Sequence, residues 1–497
     1  MHGRCALDAH AELEGENRAF LERVSEAVFS NPFGDRRHAI DIELAEVTGA
    51  TGRQELLDRV VGEVDRRLEP MTTEGSLRLD QRSPTVRPLV ERAMLFSLFH
   101  HFADAIDEHI EAQLQTGAEP CPAPFGARLL AVLEGHGMPR DQAVRMVAVL
   151  FQMRRAFRFI DRSLTGWSPC IRSLRQALWN NIFTHDIGRY DRWLWNRMED
   201  FSTIVLGETG TGKGTAASAI GRAGFIPYDP RKGRFVESFT EAFVSVNLSQ
   251  FSAGLLESEL FGHVKGAFTG AVDRYAGAFS RCSPHGAIFL DEIGEIGVPV
   301  QIKLLRVLQE REFSPVGSHE PQRFSGRVIA ATNRDLATER ARGSFRDDFY
   351  YRLCSDVIEM PSLQQRLAED PQELPLLIGA VLERTLGQPA PELVDEIAAA
   401  IASDLPRDYA WPGNVRELEQ CVRRVLMKKH YEGDHAGLGH DDRQRLHHAI
   451  DAGELPARTL VRDYCRLLYA RHGTYEEVAR RTELDRRTVK RHVQPDE

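Results

Sequence analysis

The first third of the chain has the hydrophobic spacing of amphipathic helices. Over residues 86–114, apolar side chains recur at three- and four-residue intervals, as they do along one face of a helix. Residues 142–160 show the same spacing, and strand-like alternation is sparse as far as about Ser173. The pattern therefore predicts a helical domain over residues 1–173.

From about Ile204 the pattern changes to short apolar runs that alternate with helical segments and glycine-rich turns. This alternation is typical of a parallel α/β sheet, in which helices connect successive strands. Helical spacing returns from about residue 375 to 429, and a polar stretch then precedes a last helical region. The predicted strands are residues 202–206, 243–246, 287–290 and 327–331.

A glycine-rich stretch directly follows the first predicted strand. Its glycines let backbone N–H groups wrap around phosphates, and Lys213 adds a positive charge at the start of the next helix. The usual loop ends in a Ser or Thr that binds Mg²⁺, whereas Gly214 stands at that position, followed by Thr215. The alternative is a turn without chemical function. The predicted nucleotide-binding loop is Gly207, Glu208, Thr209, Gly210, Thr211, Gly212, Lys213, Gly214 and Thr215.

Two acids stand at the end of a later strand. Asp291 and Glu292 directly follow the apolar run 287–290, where Asp291 is placed to bind Mg²⁺ and Glu292 to activate the attacking water. A strand that ends in solvated acids is common by itself, but the phosphate-binding loop gives this pair a chemical context. The separation of the two motifs favours adjacent strands of one sheet. Together they predict a site for ATP and Mg²⁺.

Between these motifs, small residues and glycines flank a single aromatic side chain. Glycines at both ends make such a segment mobile, so that Phe268 and Thr269 can contact a partner. The alternative is a hairpin tip with a buried phenylalanine. The predicted contact loop is Gly266, Ala267, Phe268, Thr269, Gly270 and Ala271.

The stretch from Glu257 to Ala271 resembles the signature of the AAA+ activators of sigma-54 RNA polymerase, whose GAFTGA loop stands here without a substitution. The resemblance continues over about residues 174–430. It implies a bacterial transcription activator that hydrolyses ATP and forms a homo-oligomeric ring, expected to be a hexamer. It also implies that the ring remodels the sigma-54 RNA polymerase holoenzyme to open promoters.

The resemblance also assigns polar residues around the nucleotide. Asn247 matches the switch asparagine, which holds the catalytic glutamate, here Glu292, until ATP is bound. Thr332 and Asn333 match the sensor of the γ-phosphate. Without the resemblance, these two residues would indicate an ordinary turn.

Three arginines match catalytic positions of the same family. Arg346 and Arg352 lie in a segment similar to the arginine-finger helix, which reaches the ATP of a neighbouring subunit. A guanidinium there would neutralise charge that develops during phosphoryl transfer. The alternative for these two is pairing with nearby acids such as Asp347 or Asp348. Arg416 matches the second sensor, which approaches the nucleotide from a helical lid.

Two short helical patterns occupy residues 475–492, near the end of the chain. Ala479, Leu484 and Val489 would pack the two helices together in the geometry of a helix-turn-helix. The pair resembles the Fis-type domain that commonly ends these activators, except that Glu483 stands where that family has glycine. The alternative is a solvated basic helix. The predicted contacts with double-stranded DNA are Arg486, Arg487, Thr488, Lys490 and Arg491.

Composition limits the partners and the compartment. The formal net charge is -10, so that DNA must be bound by a local basic patch rather than by the chain as a whole. No apolar run is long enough to span a bilayer and no targeting signal follows Met1, which predicts a cytoplasmic protein without a membrane partner. The seven cysteines form no CxxC pair and are interpreted as reduced thiols.

Four segments have no role that the sequence assigns. A helical segment from His100 to His109, rich in His and acids, is interpreted as a solvated face rather than a metal site. An aromatic stretch from Trp179 to Trp195 either couples the first domain to the ATPase or packs at their junction. Residues 224–241 and 367–373 are longer than the resemblance accounts for.

The sequence therefore predicts a multidomain protein whose parts are a regulatory domain, an ATPase, a linker and a DNA-binding domain. The helical regulatory domain, of unknown ligand, spans residues 1–173, and the sigma-54 interaction AAA+ domain spans 174–432. The latter divides into an α/β core at about 174–365 and a helical lid at about 366–432. A linker at 433–456 and a Fis-type helix-turn-helix domain at 457–497 follow.

Two other functions stay open at this point. Without the hydroxyl that usually binds Mg²⁺, the chain would be a DNA-binding scaffold or repressor whose ATPase is weak or inactive. An AAA+ remodeller of a different client protein is the other alternative, which the unsubstituted loop disfavours.

Overall fold

The fold is given by a computed structural model, which describes residues 15–47, 52–406, 409–431, 433 and 456–493. The chain divides into two compact units, Met1–Ala380 and Val381–Glu497. The predicted linker lies outside the described residues, apart from its two ends. Among the helices that the structure describes, none has the length and apolar content that crossing a bilayer requires.

The first unit begins with eight helices. They are α1 (Glu16–Phe29), α2 (Asp35–Leu44), α3 (Arg53–Leu68), α4 (Arg87–His101), α5 (Ala103–Thr116), α6 (Pro124–Gly135), α7 (Arg140–Ser163) and α8 (Pro169–Phe183). The first seven share one apolar core, and α7 buries Val147, Leu150 and Phe151 as its spacing predicts. The predicted stretch 86–114 is two helices, because α4 ends and α5 begins at Phe102.

Two histidines of this region are not on a solvated face, so that this part of the prediction was wrong. The ring of His109 is buried beside Phe125 and Phe151, and that of His100 packs edge-on against Phe96. Burial lowers the pKa of His100 to about 3 and that of His109 to about 4, so both are neutral at pH 7. In the described part of the chain, no cluster of His, Cys, Asp and Glu side chains is placed to hold a metal ion.

A parallel sheet with connecting helices completes the first unit. After the short helix α9 (Ile187–Arg189), the strands are β1 (Thr203–Leu206), β2 (Tyr228–Asp229), β3 (Arg234–Phe235), β4 (Phe243–Asn247), β5 (Ala287–Asp291), β6 (Glu312–Phe313), β7 (Gln322–Arg323), β8 (Arg327–Thr332) and β9 (Asp356–Glu359). The helices are α10 (Lys213–Gly221), α11 (Ala253–Phe261), α12 (Ala278–Arg281), α13 (Val298–Glu310), α14 (Leu336–Ala341), α15 (Asp347–Leu353), α16 (Leu363–Glu369) and α17 (Glu373–Leu386). The four predicted strands are thus confirmed as β1, β4, β5 and β8.

Five strands form the main sheet in the order β4-β5-β8-β1-β9, and every pair in it is parallel. The prediction that the phosphate-binding loop and the acid pair follow adjacent strands was wrong, because β8 lies between β1 and β5. Separation along the chain does not fix lateral order in a sheet whose strands are joined by long crossovers. All six residues of β8 are buried, as expected of the central strand.

Residues 224–241 connect the sheet to the helical region. Their two short strands, β2 and β3, form an antiparallel hairpin whose Tyr228 and Phe235 belong to the apolar core of α1 to α7. The ring of Phe235 stacks on Phe151 of α7, with centroids 4.1 Å apart. Next to the hairpin, Gln152 of α7 donates to the Ala223 carbonyl at 2.9 Å. The segment is therefore a built-in contact between the α/β part and the first helices.

The predicted domain boundary at residue 173 falls inside α8. Buried residues of this helix, such as Leu178 and Phe183, pack in one cluster with Val205 of β1 and Ala217 of α10. The helical region and the sheet therefore belong to one compact unit, and α16 belongs to that unit as well. The domain limits given from the sequence stay a prediction.

Residues 367–373 also contact the helical region. The carboxylate of Glu373 is fully buried and accepts hydrogen bonds from the backbone N–H groups of Trp167 and Ser168 at the start of α8. It is also paired with the buried guanidinium of Arg366, 2.6 Å away. This extension thus fastens α16 and α17 to the N-terminal end of α8.

The second unit contains α18 (Pro391–Asp404), α19 (Asn414–Lys428), α20 (Ala457–His472), α21 (Tyr475–Thr482) and α22 (Arg486–Val493). The last three helices pack around Cys465, Leu468, Val478 and Val489, with Ala479 and Leu484 at the edge of this cluster. These include the three residues predicted to join the helix pair. Glu483 ends α21 with a φ of 56°, the left-handed conformation that glycine usually takes at this place.

Candidate functional site

The predicted phosphate-binding loop lies between β1 and α10. Gly207, Gly210 and Gly212 have positive φ angles of 155°, 82° and 94°, which favour glycine. A Cβ on Gly207 would lie only 2.8 Å from Cβ of Met360, so the loop also passes too close to its neighbour for a side chain. The α10 helix begins at Lys213, as predicted. Its N-terminal N–H groups and the loop therefore present positive charge to an anion.

The Lys213 side chain folds back over this loop. Its ammonium group donates to the carbonyls of Gly207 and Glu208 at 2.9 and 3.0 Å, and the side chain is 7% exposed. The hydroxyl of Thr211 donates to the same Glu208 carbonyl at 2.8 Å. The charge is therefore held at the mouth of the loop, where phosphate oxygens would replace backbone carbonyls as its partners.

The predicted acids and polar residues lie at the same edge of the sheet as the loop. Because β1, β4, β5 and β8 are parallel, Asn247, Asp291 and Thr332 all stand at carboxyl ends of strands. Asn247 is directly opposite Asp291 in the register of β4 and β5. This edge is where ligands bind in open parallel sheets.

Glu292 follows β5 in a strained backbone conformation. Its φ is 58°, in the left-handed region that non-glycine residues seldom adopt. Its Oε2 atom is buried without a hydrogen-bond partner among the described residues. A buried carboxylate oxygen without a donor is costly, so such an atom is expected where a ligand or water supplies the missing partner.

Asn247 does not hold Glu292 in this conformation. The Oδ1 atom of Asn247 accepts instead from the backbone N–H and the hydroxyl of Ser249, at 3.0 and 2.8 Å. Asn247 thereby caps the turn that leads from β4 towards α11. Its role as a switch stays a prediction from the resemblance.

One of the two predicted sensor residues, Asn333, contacts the loop directly. The Asn333 side-chain amide donates to the Thr209 hydroxyl at 3.0 Å, which joins the end of β8 to the phosphate-binding loop. The Thr332 hydroxyl is buried and accepts from the backbone N–H of Arg334 at 3.1 Å. The sequence placed these residues at a strand end, and the structure adds the bond between Asn333 and Thr209.

Gly214 has room for a side chain. A Cβ at this position would meet only the Phe289 ring, at 3.8 Å, and its φ is not positive. We expect Gly214→Ala to stabilise the fold by about 0.5 kcal/mol, since alanine loses less backbone entropy in a helix. Thermal unfolding measures this change, and binding of a fluorescent ATP analogue should be unaffected. Gly207→Ala is the matched variant that must destabilise; a loss of stability in Gly214→Ala would contradict the expectation.

Both predicted finger arginines contact their own subunit. Arg346 forms a two-pronged ion pair with Asp348, at 3.0 and 2.7 Å, as the alternative interpretation anticipated. This pairing lowers the pKa of the Asp348 carboxyl. The Arg352 guanidinium donates to the Leu308 carbonyl of α13 at 3.1 Å. Both side chains remain at the surface, where a second subunit can approach them.

The predicted contact loop is a tight turn with an exposed aromatic tip. The Gly266 N–H donates to the Ala271 carbonyl at 2.9 Å, and both Gly266 and Gly270 have positive φ angles, of 80° and 106°. Phe268 is 39% exposed, so the interpretation of a buried hairpin phenylalanine was wrong.

Sequence reasoning missed the residues that support this tip. The His263 ring contacts Phe268 edge-on, with centroids 5.0 Å apart, and its Nδ1 atom is 2.7 Å from the Ser258 hydroxyl. A Cβ on Gly317 would lie 2.8 Å from Cβ of Ala267, so this glycine packs directly beneath the loop. The sequence by itself gave no signal for this contact, because the positive φ of Gly317 is seen only in the structure.

Two groups of predicted residues lie in the second unit. Arg416 is on α19, close to its N-terminal end. The exposed side chains of α22 include four of the predicted DNA contacts, while Thr488 donates to Asp485 at 2.7 Å and helps to begin the helix. Arg486 is ion-paired with Glu476 at 2.9 Å. The roles of these residues in nucleotide and DNA binding stay predictions. The exposed contacts are Arg486, Arg487, Lys490 and Arg491.

Comparison with known proteins identifies this domain. Residues 194–359 match the family described as the Sigma-54 interaction domain. The chain is 45% identical over 226 residues to the Nif-specific regulatory protein of Azotobacter vinelandii, which covers 46% of this chain and 40% of that protein. It is 41% identical over 227 residues to the DNA-binding transcriptional regulator NtrC of Azospirillum brasilense, and this match covers 46% of this chain and 43% of that protein. The matches therefore span less than half the length of these relatives.

Among solved structures, the crystal structure of NtrX from Brucella abortus in complex with ADP is similar with a TM-score of 0.40 and 21% identity, over 71% of this chain and 74% of that chain. The identification rests on the domain match, which covers β1, the phosphate-binding loop, the contact loop, both acids and both sensor residues. This chain therefore carries a sigma-54 interaction domain, an AAA+ ATPase domain, at residues 194–359.

Proposed function

We propose that this chain is an ATP-hydrolysing transcription activator. It binds double-stranded DNA upstream of promoters, assembles into a homo-oligomeric ring, which we expect to be a hexamer, and remodels the sigma-54 RNA polymerase holoenzyme so that promoters open. The observation that carries the proposal is the exposed Phe268 tip, on a tight turn in the same domain as the predicted nucleotide site. Its place of action would be the cytoplasm, where promoter DNA lies.

The residues at the sheet edge fit ATP and Mg²⁺. The loop from Gly207 to Gly212 and the N-terminus of α10 would hold the phosphates, and Lys213 is already placed at the mouth of that loop. Asp291 is the carboxylate that would hold the metal ion. When bound, Mg²⁺ neutralises charge on the β- and γ-phosphates. The fit is supported by the buried Oε2 atom of Glu292, which lacks a protein donor.

Glu292 would act as the base for the attacking water. Its orphan Oε2 atom can accept the water proton, and the left-handed backbone turns the side chain away from the regular course of β5. Asn333, bonded to Thr209 of the loop, would report the γ-phosphate to β8. Arg346 and Arg352 of a neighbouring subunit would complete the site, which requires Arg346 to exchange Asp348 for a phosphate oxygen. Arg416 would approach from the lid.

The path from nucleotide to contact loop is short along the chain. Asn247 ends β4 and caps the following turn, α11 comes next, and the loop from Gly266 to Ala271 follows α11 after four residues. A change in the partner of Asn247 would therefore move α11 and the loop together. We infer that hydrolysis is coupled to the polymerase by this route.

The DNA contact would come from α22. The chain's net charge of -10 does not attract DNA, so a local positive patch is needed, and the exposed arginines and lysine of α22 supply it. The Fis-type resemblance supports its use as a recognition helix in the major groove.

Replacing Thr269 by Ala tests the proposed function. Thr269 is exposed at the tip and lies outside the nucleotide site, so we expect promoter opening with the sigma-54 holoenzyme to be abolished while ATP hydrolysis changes less than about twofold. Open-complex formation and phosphate release are the two measurements. Thr116→Ala, an exposed threonine in α5, is the control and should leave both unchanged. Promoter opening at the normal rate by the Thr269 variant would contradict the proposed contact.

A second function is favoured by Gly214. Because it supplies no hydroxyl for Mg²⁺, the chain would be a DNA-binding scaffold or repressor with a weak or inactive ATPase. ATP turnover at protein concentrations that allow assembly decides between the two, since the activator requires turnover and the scaffold does not. The third alternative is a remodeller of a different client. Promoter opening measured with the sigma-54 holoenzyme, and separately with another sigma factor, tests it.

A further inference from the structure

A large cavity lies within the helical region of the first unit. Its volume is about 1250 Å³, and its walls come from α1, α2, α3, α4, α7, α8 and the segment 186–193. Small-molecule sites in proteins commonly measure about 300–1,000 Å³, so the space suffices for a ligand of ordinary size with accompanying water.

The apolar part of the wall is rich in flat aromatic rings. Phe29, Phe96, Phe157, Trp167 and Trp179 all line it. The rings stand at different angles, and one of them, Phe157, is stacked on Phe33 with centroids 5.1 Å apart. Such a wall favours a planar apolar body, which can lie against ring faces and edges.

The polar part of the wall has an excess of positive charge. Eight arginines and six carboxylates line the cavity. Burial raises the pKa of the Glu91 carboxyl, and His100 is neutral at pH 7. Four of the arginines are neutralised by ion pairs with single carboxylates. These pairs are Arg37–Asp41, Arg154–Asp107, Arg172–Asp35 and Arg189–Asp186.

For the other four arginines, no carboxylate lies within ion-pair distance in the described part of the chain. Arg53 donates to the Pro32 carbonyl at 3.1 Å and lies over the Phe157 ring. Arg92 donates to the Ser25 hydroxyl at 2.8 Å and lies over Phe29. Cations that rest on aromatic rings without a counter-ion can pair with an anionic ligand. The four residues are Arg53, Arg92, Arg175 and Arg192.

Arg175 is the most informative of these residues. Its side chain is 2% exposed, donates to the Gly166 carbonyl at 2.8 Å, and lies over the Trp167 ring. Its Nε atom is buried without a hydrogen-bond partner among the described residues, and so is Oδ1 of Asp161, which lines the same cavity. A buried donor and a buried acceptor that are both unsatisfied indicate a ligand with polar groups of both kinds.

We propose that this cavity binds a small organic anion with a planar apolar body and that it is the effector site of the chain. The anionic group pairs with arginines of this group of four, and the apolar body lies against the aromatic wall. The effector role rests on the proposed function, whereas the binding itself does not.

The position of the cavity gives occupancy a route to the ATPase. Its wall segment 186–193 overlaps the turn of π-helix at Tyr190–Leu194, which precedes β1 in the chain. Tyr190 is fully buried and its hydroxyl donates to Gln152 at 2.8 Å. Gln152 in turn donates to the Ala223 carbonyl, directly after α10, the helix that begins at Lys213. A ligand that shifts this segment therefore acts on the far end of the phosphate-loop helix.

Two matched dyes test the binding. The probe is anilinonaphthalene sulfonate, a fluorescent aromatic anion, and its partner is phenylnaphthylamine, the same ring system without the sulfonate. With the full-length protein we expect saturable binding of one anionic dye per chain and at least about tenfold weaker binding of the neutral dye. Arg53→Gln and Arg192→Gln, both at exposed positions, should each weaken the anionic dye about fivefold or more.

Arg59→Gln is the control variant. Arg59 lies on α3 like Arg53, is exposed and is paired with Glu55 outside the cavity, so this change should leave dye binding as it was. Circular dichroism and thermal unfolding show that each variant is folded. Equal affinity for the two dyes, absence of saturable binding, or insensitivity of the anionic dye to both cavity variants overturns the binding site.

ATP turnover measured with the anionic dye bound separates the two parts of the proposal. A change in turnover of about twofold or more, lost in Arg53→Gln, supports the effector role. If the anionic dye binds without any change in ATP turnover, the effector role is overturned, but the binding site is not. A protein that binds the dye but hydrolyses no ATP under any condition overturns the proposed function instead.

Discussion

Replacing Glu292 by Gln is expected to slow ATP hydrolysis by about 10²–10⁴-fold while ATP binding is retained, since a positioned general base contributes an acceleration of this size. Glutamine has the shape of glutamate but cannot take a proton from water. The carboxylate oxygen that would do so, Oε2, is buried and free of protein donors, so no other described group competes for it. Phosphate release under single-turnover conditions measures the rate, and a fluorescent ATP analogue measures the binding.

Glu295→Gln is the appropriate control for that experiment. Glu295 lies three residues further along the chain, and its carboxylate pairs with Arg334 at the surface rather than remaining free. Its replacement should leave turnover within about threefold of the original, because a surface ion pair contributes little. If Glu292→Gln hydrolysed ATP at the original rate, the base would have to be another residue, and the scaffold interpretation would gain support.

Replacing Glu373 by Ala is expected to lower the free energy of unfolding by about 3–5 kcal/mol, because it leaves the buried guanidinium of Arg366 without a counter-ion. The same change removes the acceptor for the N–H groups of Trp167 and Ser168, which are then unsatisfied at the start of α8. Chemical denaturation of the first unit, followed by tryptophan fluorescence, measures the loss. Trp167 is itself at the affected place and reports it directly.

Glu373→Gln gives an intermediate case in the same series. Glutamine keeps an oxygen that accepts from Trp167 and Ser168 but lacks the charge that faces Arg366. Glu373→Gln should therefore lower the free energy of unfolding by less than Glu373→Ala does. Glu369→Ala serves as the control, since Glu369 accepts from the Cys170 N–H at 2.7 Å but is exposed. If Glu373→Ala lowered the free energy of unfolding by no more than Glu369→Ala does, the buried contact would not be what holds α16 against α8.

The sheet edge that carries the predicted nucleotide site could largely be located from the sequence. The strand ends at Leu206 and Asp291, the helix start at Lys213 and the contact loop with its exposed Phe268 follow from local signals, namely apolar runs, glycines and acids at fixed spacing. These motifs depend on residues that are neighbours in the chain, and local chemistry is what a single sequence displays.

The partners of these residues were not accessible in the same way. That Arg346 pairs with Asp348 was one of two alternatives, and that Asn333 bonds Thr209 joins residues 124 positions apart. The prediction that the loop and the acid pair follow adjacent strands was wrong, because β8 enters the sheet between β1 and β5, which both precede it in the chain. The bond between Asn333 and Thr209 and the position of β8 depend on the packing of remote segments, for which a single sequence carries no direct signal.

The connection between the helical region and the α/β part depends most on the tertiary structure. The hairpin at residues 224–241 carries apolar residues such as Phe235 whose destination, the core formed by α1 to α7, is set by shape complementarity rather than by periodicity. The arginine-rich cavity is likewise assembled from residues scattered between Val28 and Trp193.

The sequence by itself determined the helical and α/β character of the two main regions, the phosphate-binding loop, the acid pair and the contact loop, because periodicity and short motifs act over a few residues. Only the tertiary structure decided the strand order, the burial of Glu373, the merging of helical and α/β regions into one unit, and which arginines of the cavity have no ion pair among the described residues. Burial and the absence of an ion-pair partner are properties of an environment, which forms when segments distant in the chain pack together.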